Sequence, residues 1–552
     1  MNRREFFARV APGLRHADPK KMVPADQVPV APPSFFRSSL GLEPYSPDSD
    51  GAWDYAKAAH LLRRAMIGPT EREIRDAVAA GPDATIEMLM IPFDPDFRLI
   101  ADWAGTDPRT GAPEPAESPE FWEWFNGKLE RRERLGRWWL RTMVKSPVSI
   151  QERMTFFWHC HFVSELRAVE WPEFMYHQNQ LLRRNALGNF RQFVREITID
   201  ESMLIYLNGV DNFVDWSGSH INENYARELM ELFTMGPADW NGAPNYTQRD
   251  VAEGARAFSG WGKSASPVSV HHNGLGSAFD AGRWDSGVKK FLGRTGPFGA
   301  MDAIDIIFSE RADQVAKFIC EKIYRAFVHH IPDREIVAGM AATFREHDWE
   351  IQPVMEQLLR SRHFYDPTNI GAMERSVVDY HLSIIRAMGL TRVMDFQPNE
   401  PEHRFNDLLN RLLKMGQMPF HPPNVKGWAE GRAWVSVSTL PGRQKFAIDV
   451  ARGDITVWMD NQRGTWTLYE LDPIALARTF PRPDDIRQLC DDMAHHFLGN
   501  PPSPRESEML YRTMLSGGTE YEWSLDDPDQ RAGIRIRAFL AALVQLPKFQ
   551  LY

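Results

Sequence analysis

For most of its length the chain repeats bulky apolar residues at intervals of three and four, the period of helices with one buried face. "WEWFNGKLERRERLGRWWLRTMV", "ADQVAKFICEKIYRAFV", "NDLLNRLLKMG" and "IRIRAFLAALVQL" all follow it. "NENYARELMELFTMG" keeps the period and stops at Gly236-Pro237, a combination that ends helices. "TQRDVAEGARAFSGW" opens on Thr247, an N-cap residue, with Asp250 three positions on. Two kinds of segment break the pattern. Residues 19–50 and 104–120 are rich in proline and have no period, which predicts an extended arm or linker and a loop. Residues 264–299, "SASPVSVHHNGLGSAFDAGRWDSGVKKFLGRTGPFG", carry Gly, Ser and short alternating runs. The expected fold class is mainly α: a multi-helical bundle with a small β-hairpin or irregular insertion near 264–300.

Composition narrows the function classes. With 552 residues the chain exceeds the roughly 250–300 at which single cores split. A net charge of −10 argues against general nucleic-acid binding, which relies on basic surface. No run approaches the ~18 apolar residues of a membrane span, so no integral membrane segment is expected. Cys160, Cys320 and Cys490 are widely separated, which fits neither a disulfide framework nor a zinc finger. The N-terminal "MNRREFFARVAPGLRHADPKK" has the paired arginines of an export signal, but its apolar region is missing. A cytoplasmic location is therefore expected.

Candidate chemistry concentrates in a few stretches. In "ERMTFFWHCHFV" the apolar residues fall at helical spacing, which places His161 on the apolar stripe. Residues two apart on a helix point about 200° apart, so His159 and His161 face different neighbours and do not easily share a metal. "HCH" also resembles the copper motif of multicopper oxidases, but that motif needs another histidine where this chain has Glu165. A His161/Glu165 pair, i and i+4, is a possible ligand face if a second helix supplies carboxylates. That helix is "NENYARELMELFTMG": Glu223, Arg227 and Glu231 share one face, with Glu228 beside them. Solvated helices carry such pairs too. Set among Tyr225, Leu229, Met230, Leu232 and Phe233, these charges are either paired or metal-bound. In the next helix Asp250 and Glu253 are three apart, with Arg256 three further on. Residues 421–443, "HPPNVKGWAEGRAWVSVSTLPGR", hold too much Pro and Gly for a helix and either fix the chain direction or line a cleft with Trp428, Trp434 and Arg443.

These blocks and their order resemble the bacterial DUF1800 family. The resemblance rests on "AHLLRRAMIGPT" (59–70), "ERMTFFWHCHFV" (152–163), "LLRRNALGNFRQFV" (181–194), "ESMLIYLNGVDN" (201–212), "NENYARELMELFTMG" (222–236) and "YTQRDVAEGARAFSGW" (246–261). Beyond them come "VKKFLGRTG" (288–296), "FICEKIYRAFV" (318–328) and "PPNVKGWAEGRAWVSVSTLPGR" (422–443). A proline-rich arm over 1–50, a helical core over 51–445 and a C-terminal helical extension over 446–552 packed on that core are expected. The resemblance covers most of residues 55–445 and implies a mostly helical fold. It also implies a sulfatase-like DUF1501 protein as partner. The chain departs from the family pattern in lacking a complete export signal. It departs again at Trp284-Asp285, where a His-Asp pair is expected; a site that used that histidine would be altered here. Cys160 stands where the family usually has a polar residue and is not expected to be essential.

Two functions follow. In the first, His159, His161, Glu228 and Glu231 hold Zn, Mn or Fe between helices. Glu223, Arg227 and Asp250 then act catalytically, Trp428, Trp434 and Arg443 bind substrate, and the reaction is a hydrolysis or an oxidoreduction. In the second, the same groups form a buried polar network in a non-catalytic helical scaffold or maturation partner of the sulfatase-like protein.

Overall fold

A computed structural model describes residues 40–105, 118–263, 277–390, 403–453, 456–459, 462–467, 471–526 and 531–552. Helices carry the fold, and the strands among these residues form four separate two-stranded antiparallel hairpins. Trp261–Lys263 pairs with Ser277–Phe279, and Lys289–Phe291 with Arg294–Gly296, so β structure flanks and enters the segment where it is expected. Residues 264–276 lie outside the described residues. The hairpins Phe213–Asp215/Gly218–His220 and Thr456–Met459/Gln462–Thr467 have no counterpart in the sequence reading. With three residues in each strand, the first is too short to show alternation.

Helix starts follow local chemistry. Thr70 and Glu73 form a reciprocal capping box, as do Thr247 and Asp250. Of the expected arm, residues 1–39 fall outside the described residues. Its end lies against the Ile351–Arg360 helix, with Tyr45 N donating to Arg360 O at 2.7 Å and the Tyr45 ring 4.8 Å from that of Tyr365.

Two apolar clusters fill the interior. One unites Trp138 and Trp139 of the Pro119–Lys145 helix with Tyr380 and Ile385 of the Val377–Ala387 helix. Phe446, Leu489, Ile536 and Phe549, all beyond residue 445, belong to that cluster too, so the C-terminal segment completes a core rather than merely covering one. The other unites helices from Tyr55–Ala65 through Ile351–Arg360. The Gln151–His161 helix serves both clusters, giving Phe156 to the first and Met154 and Trp158 to the second.

That helix is buried on every side although half of it is polar; only Phe157 and Cys160 are part-exposed. Each buried polar group then needs a partner. Gln151 Oε1 accepts from Phe93 N at 2.8 Å, and Thr155 Oγ1 donates to Gln151 O at 2.8 Å. Glu152 accepts from Arg183 Nε at 2.6 Å and Nη2 at 3.0 Å, and from Trp139 Nε1 at 2.8 Å. The remaining polar residues, Arg153, His159 and His161, reach three further parts of the molecule.

Candidate functional site

His159 and His161 point apart, as helical spacing requires. His159 lies among the rings of Trp139, Phe420 and Trp428, and its Nε2 accepts from Phe420 N at 3.0 Å. Burial, with His421 adding repulsion, drives its pKa down to about 3, so the ring is neutral with its proton on Nδ1. Phe420 is held at φ +66°, a left-handed conformation that non-glycine residues rarely adopt. Its carbonyl accepts from Leu166 N at 2.9 Å. Both backbone groups of the strained residue are thereby tied to this helix and the turn after it.

His161 uses both ring nitrogens. Nε2–H donates to Phe233 O at 2.9 Å, and Nδ1 accepts from Lys322 Nζ at 3.1 Å. Lys322, on the Ala312–Phe327 helix, also donates to Leu232 O at 3.1 Å. The Leu229–Thr234 stretch is a π-helix, and its last carbonyls have no partner within it. His161 and Lys322 therefore cap it. Burial, and then the Lys322 charge, push the His161 pKa far below the usual histidine range. Burial likewise brings Lys322 down to about 8, with Glu430 opposing the shift.

Glu165 does not share the His161 face. The helix ends at His161, with Phe162 outside helical geometry, and Glu165 instead caps the next short turn. Its carboxylate meets His421 Nδ1 at 3.1 Å. The loop that carries His421 also closes onto the helix end. Gly427 sits at φ +81°, and a Cβ there would come 2.8 Å from Cys160 O, so glycine is required for the approach.

The helix Asn224–Glu228 widens into the π-turn at Leu229, which shifts every later side chain from the i, i+4 face expected of it. Glu223 and Arg227 pair at 2.9 Å on the surface, and Gln248 Nε2 donates to Glu223 at 2.7 Å. Glu231 accepts from the Tyr246 hydroxyl at 3.1 Å. Glu228 is part-buried; its carboxyl is raised by burial and by the Glu231 charge, with Arg227 and Lys426 opposing. Asp250 is committed to its cap: Oδ2 accepts from Thr247 N and Oγ1, and Oδ1 accepts from Leu292 N at 2.8 Å. Glu253 and Asp285 both hold Arg256, and Trp284, in place of the expected histidine, lies under the Lys289 ammonium.

Trp428 and Trp434 are buried in the first core cluster, Trp428 between Phe156 and His159. Arg443 is fully buried elsewhere, its Nε donating to Gln550 Oε1 at 2.8 Å and its guanidinium 4.2 Å from the Tyr380 ring centroid. The structure thus brings His161, the end of the 223–234 helix and the 421–434 loop together, and leaves Asp250 and Arg443 apart from them. Among the described residues no three His, Cys, Asp or Glu side chains converge on a centre that could hold a metal ion. None of the described helices is long and apolar enough to cross a membrane.

Lys322 and Phe420 are the participants the sequence reading misses. Lys322 has a readable signal, because it stands in the row Val315, Ile319, Lys322, Ala326, whose spacing is that of a buried stripe. Phe420 has none, since a positive φ leaves no mark in a phenylalanine. A family model described as "Protein of unknown function (DUF1800)" matches residues 60–551, the segment after 445 included. No curated protein and no solved structure matches the chain.

Proposed function

This chain belongs to the DUF1800 family, and on that premise we propose that it is a non-catalytic helical scaffold whose shared polar residues lock helices together. The carrying observation is His161, with both nitrogens engaged and one of them against an ammonium. A cation at Nδ1 would have to displace Lys322 and meet its charge. His159 supports the same reading through its bond to Phe420, and the cap made by Asp250 does so too. The partner to test first is the sulfatase-like DUF1501 protein that the resemblance implies.

The competing reading places Zn, Mn or Fe on His159, His161, Glu228 and Glu231, with Glu223, Arg227 and Asp250 at work around it. Metal content of protein purified without chelator separates the two. The expected result is no near-stoichiometric metal in the wild type, with His161→Ala/Glu228→Ala less stable. Near-stoichiometric metal that this variant loses would overturn the scaffold. Co-purification with the DUF1501 protein then tests the partner.

A further inference from the structure

Arg153 follows Glu152 on the central helix but opens on a different environment, a small cavity with an open mouth. Arg63, Arg153 and Arg375 line it and are 8%, 7% and 6% exposed. Among the described side chains in the wall, Asp379 is the one carboxylate facing these three guanidiniums. Fully buried Arg64 stands close by, its guanidinium 4.7 Å from the ring centroid of Tyr552, another wall residue. The turn at Gly68 (φ +67°) shapes one side, where a Cβ would overlap Ser383 Cα.

The arginine donors go largely to carbonyls. Arg63 Nη2 reaches the carbonyls of His495 and His496, each at 2.7 Å. Arg375 reaches Leu551 O at 3.1 Å, Phe497 O at 3.1 Å and Ser383 Oγ at 3.2 Å. Arg153 pairs through Nη1 with Asp379, while its Nε has no hydrogen-bond partner among the described residues. Carbonyls satisfy N–H geometry but supply no countercharge, and buried charge of one sign is costly. Burial accordingly brings Arg63 and Arg375 down to about 10.

We propose that this cavity binds a compact oxyanion, a phosphate, sulfate or carboxylate group, with Arg63, Arg153 and Arg375 as its charge partners. Guanidinium forks match such groups in shape as well as charge. The inference does not depend on the scaffold reading, since none of these residues belongs to the His161 network.

The test is thermal unfolding of the full chain, exchanged into chloride and titrated with sodium phosphate, sulfate or acetate at constant ionic strength. A saturable rise in Tm with at least one of them is expected. Response to phosphate or sulfate alone assigns a tetrahedral anion, and response to acetate a carboxylate. Asp379→Asn removes the competing carboxylate and should tighten the apparent affinity about tenfold. Ala387→Leu narrows the cavity without touching a cationic group and should weaken it about tenfold. No saturable shift with any of the three anions, or affinities unchanged in both variants, would overturn the proposal. Should Asp379→Asn fail to fold, Ala387→Leu decides alone.

Discussion

Glu152 and Arg153 are neighbours on one buried helix, yet they enter opposite electrostatic situations. Glu152 meets Arg183 in a two-point pair, with Trp139 filling a further acceptor site and Asn179 taking Arg183 Nη1 at 2.8 Å. Arg153 enters a wall where three guanidiniums face one carboxylate. The two regions are about equally dry. What separates them is whether charge is matched, and a matched network holds a fold while a mismatched one invites a counterion.

The sharpest way to break this contrast is to remove one charge from each region. Glu152→Gln leaves the Arg183 charge buried and unpaired, and should cost about 3–5 kcal/mol in urea unfolding. Arg64→Met removes a surplus cation whose Nε and Nη1 lack hydrogen-bond partners among the described residues, and should cost less than about 2 kcal/mol. Equal costs would erase the distinction.

Acid provides the next test. His159 is neutral in the fold, with a pKa of about 3, and takes up a proton near its ordinary 6.5 when unfolded. Its contribution is therefore present in full above pH 6.5 and is lost as pH falls from there toward 3. Wild type should lose stability relative to His159→Gln by up to ~1.4 kcal/mol per pH unit in that window. Asp200, raised to about 7 by burial, works in the other direction in both proteins and cancels in the difference. A flat difference would mean that His159 is protonated in the fold.

The smallest effect belongs to the surface pair. Glu223→Gln should shift stability by no more than about 0.5 kcal/mol, because Glu223 and Arg227 are both more than one-third exposed. A cost above ~2 kcal/mol would place that pair inside the locking network.

Sequence periodicity carried the helical architecture because it records which face of each helix is buried. It also separated His159 from His161, since a turn of 3.6 residues settles that geometry. It failed where backbone departs from ideal helix. The termination at Phe162 removed Glu165 from the His161 face, and the π-turn at Leu229 shifted Glu231 away from Arg227. Neither departure follows from residue type. Trp428 and Trp434 looked like a cleft because Pro and Gly argue against a helix in 421–443. Yet Trp434 ends the short 3-10 turn Gly431–Trp434, Arg443 lies in the helix Leu440–Arg452, and the segment folds inward, as Gly427 allows. The arginine cavity was illegible for another reason: Arg63, Arg153 and Arg375 come from three distant segments, and no local pattern relates them.

The scaffold rests most directly on the bond between His161 and Lys322. A double-mutant cycle with His161→Ala, Lys322→Met and the pair, read by urea unfolding at pH 7, measures it. A coupling of about 1–2 kcal/mol is expected, with the single variants each less stable than wild type and the double variant less impaired than their sum. Additive costs within ~0.3 kcal/mol would contradict it.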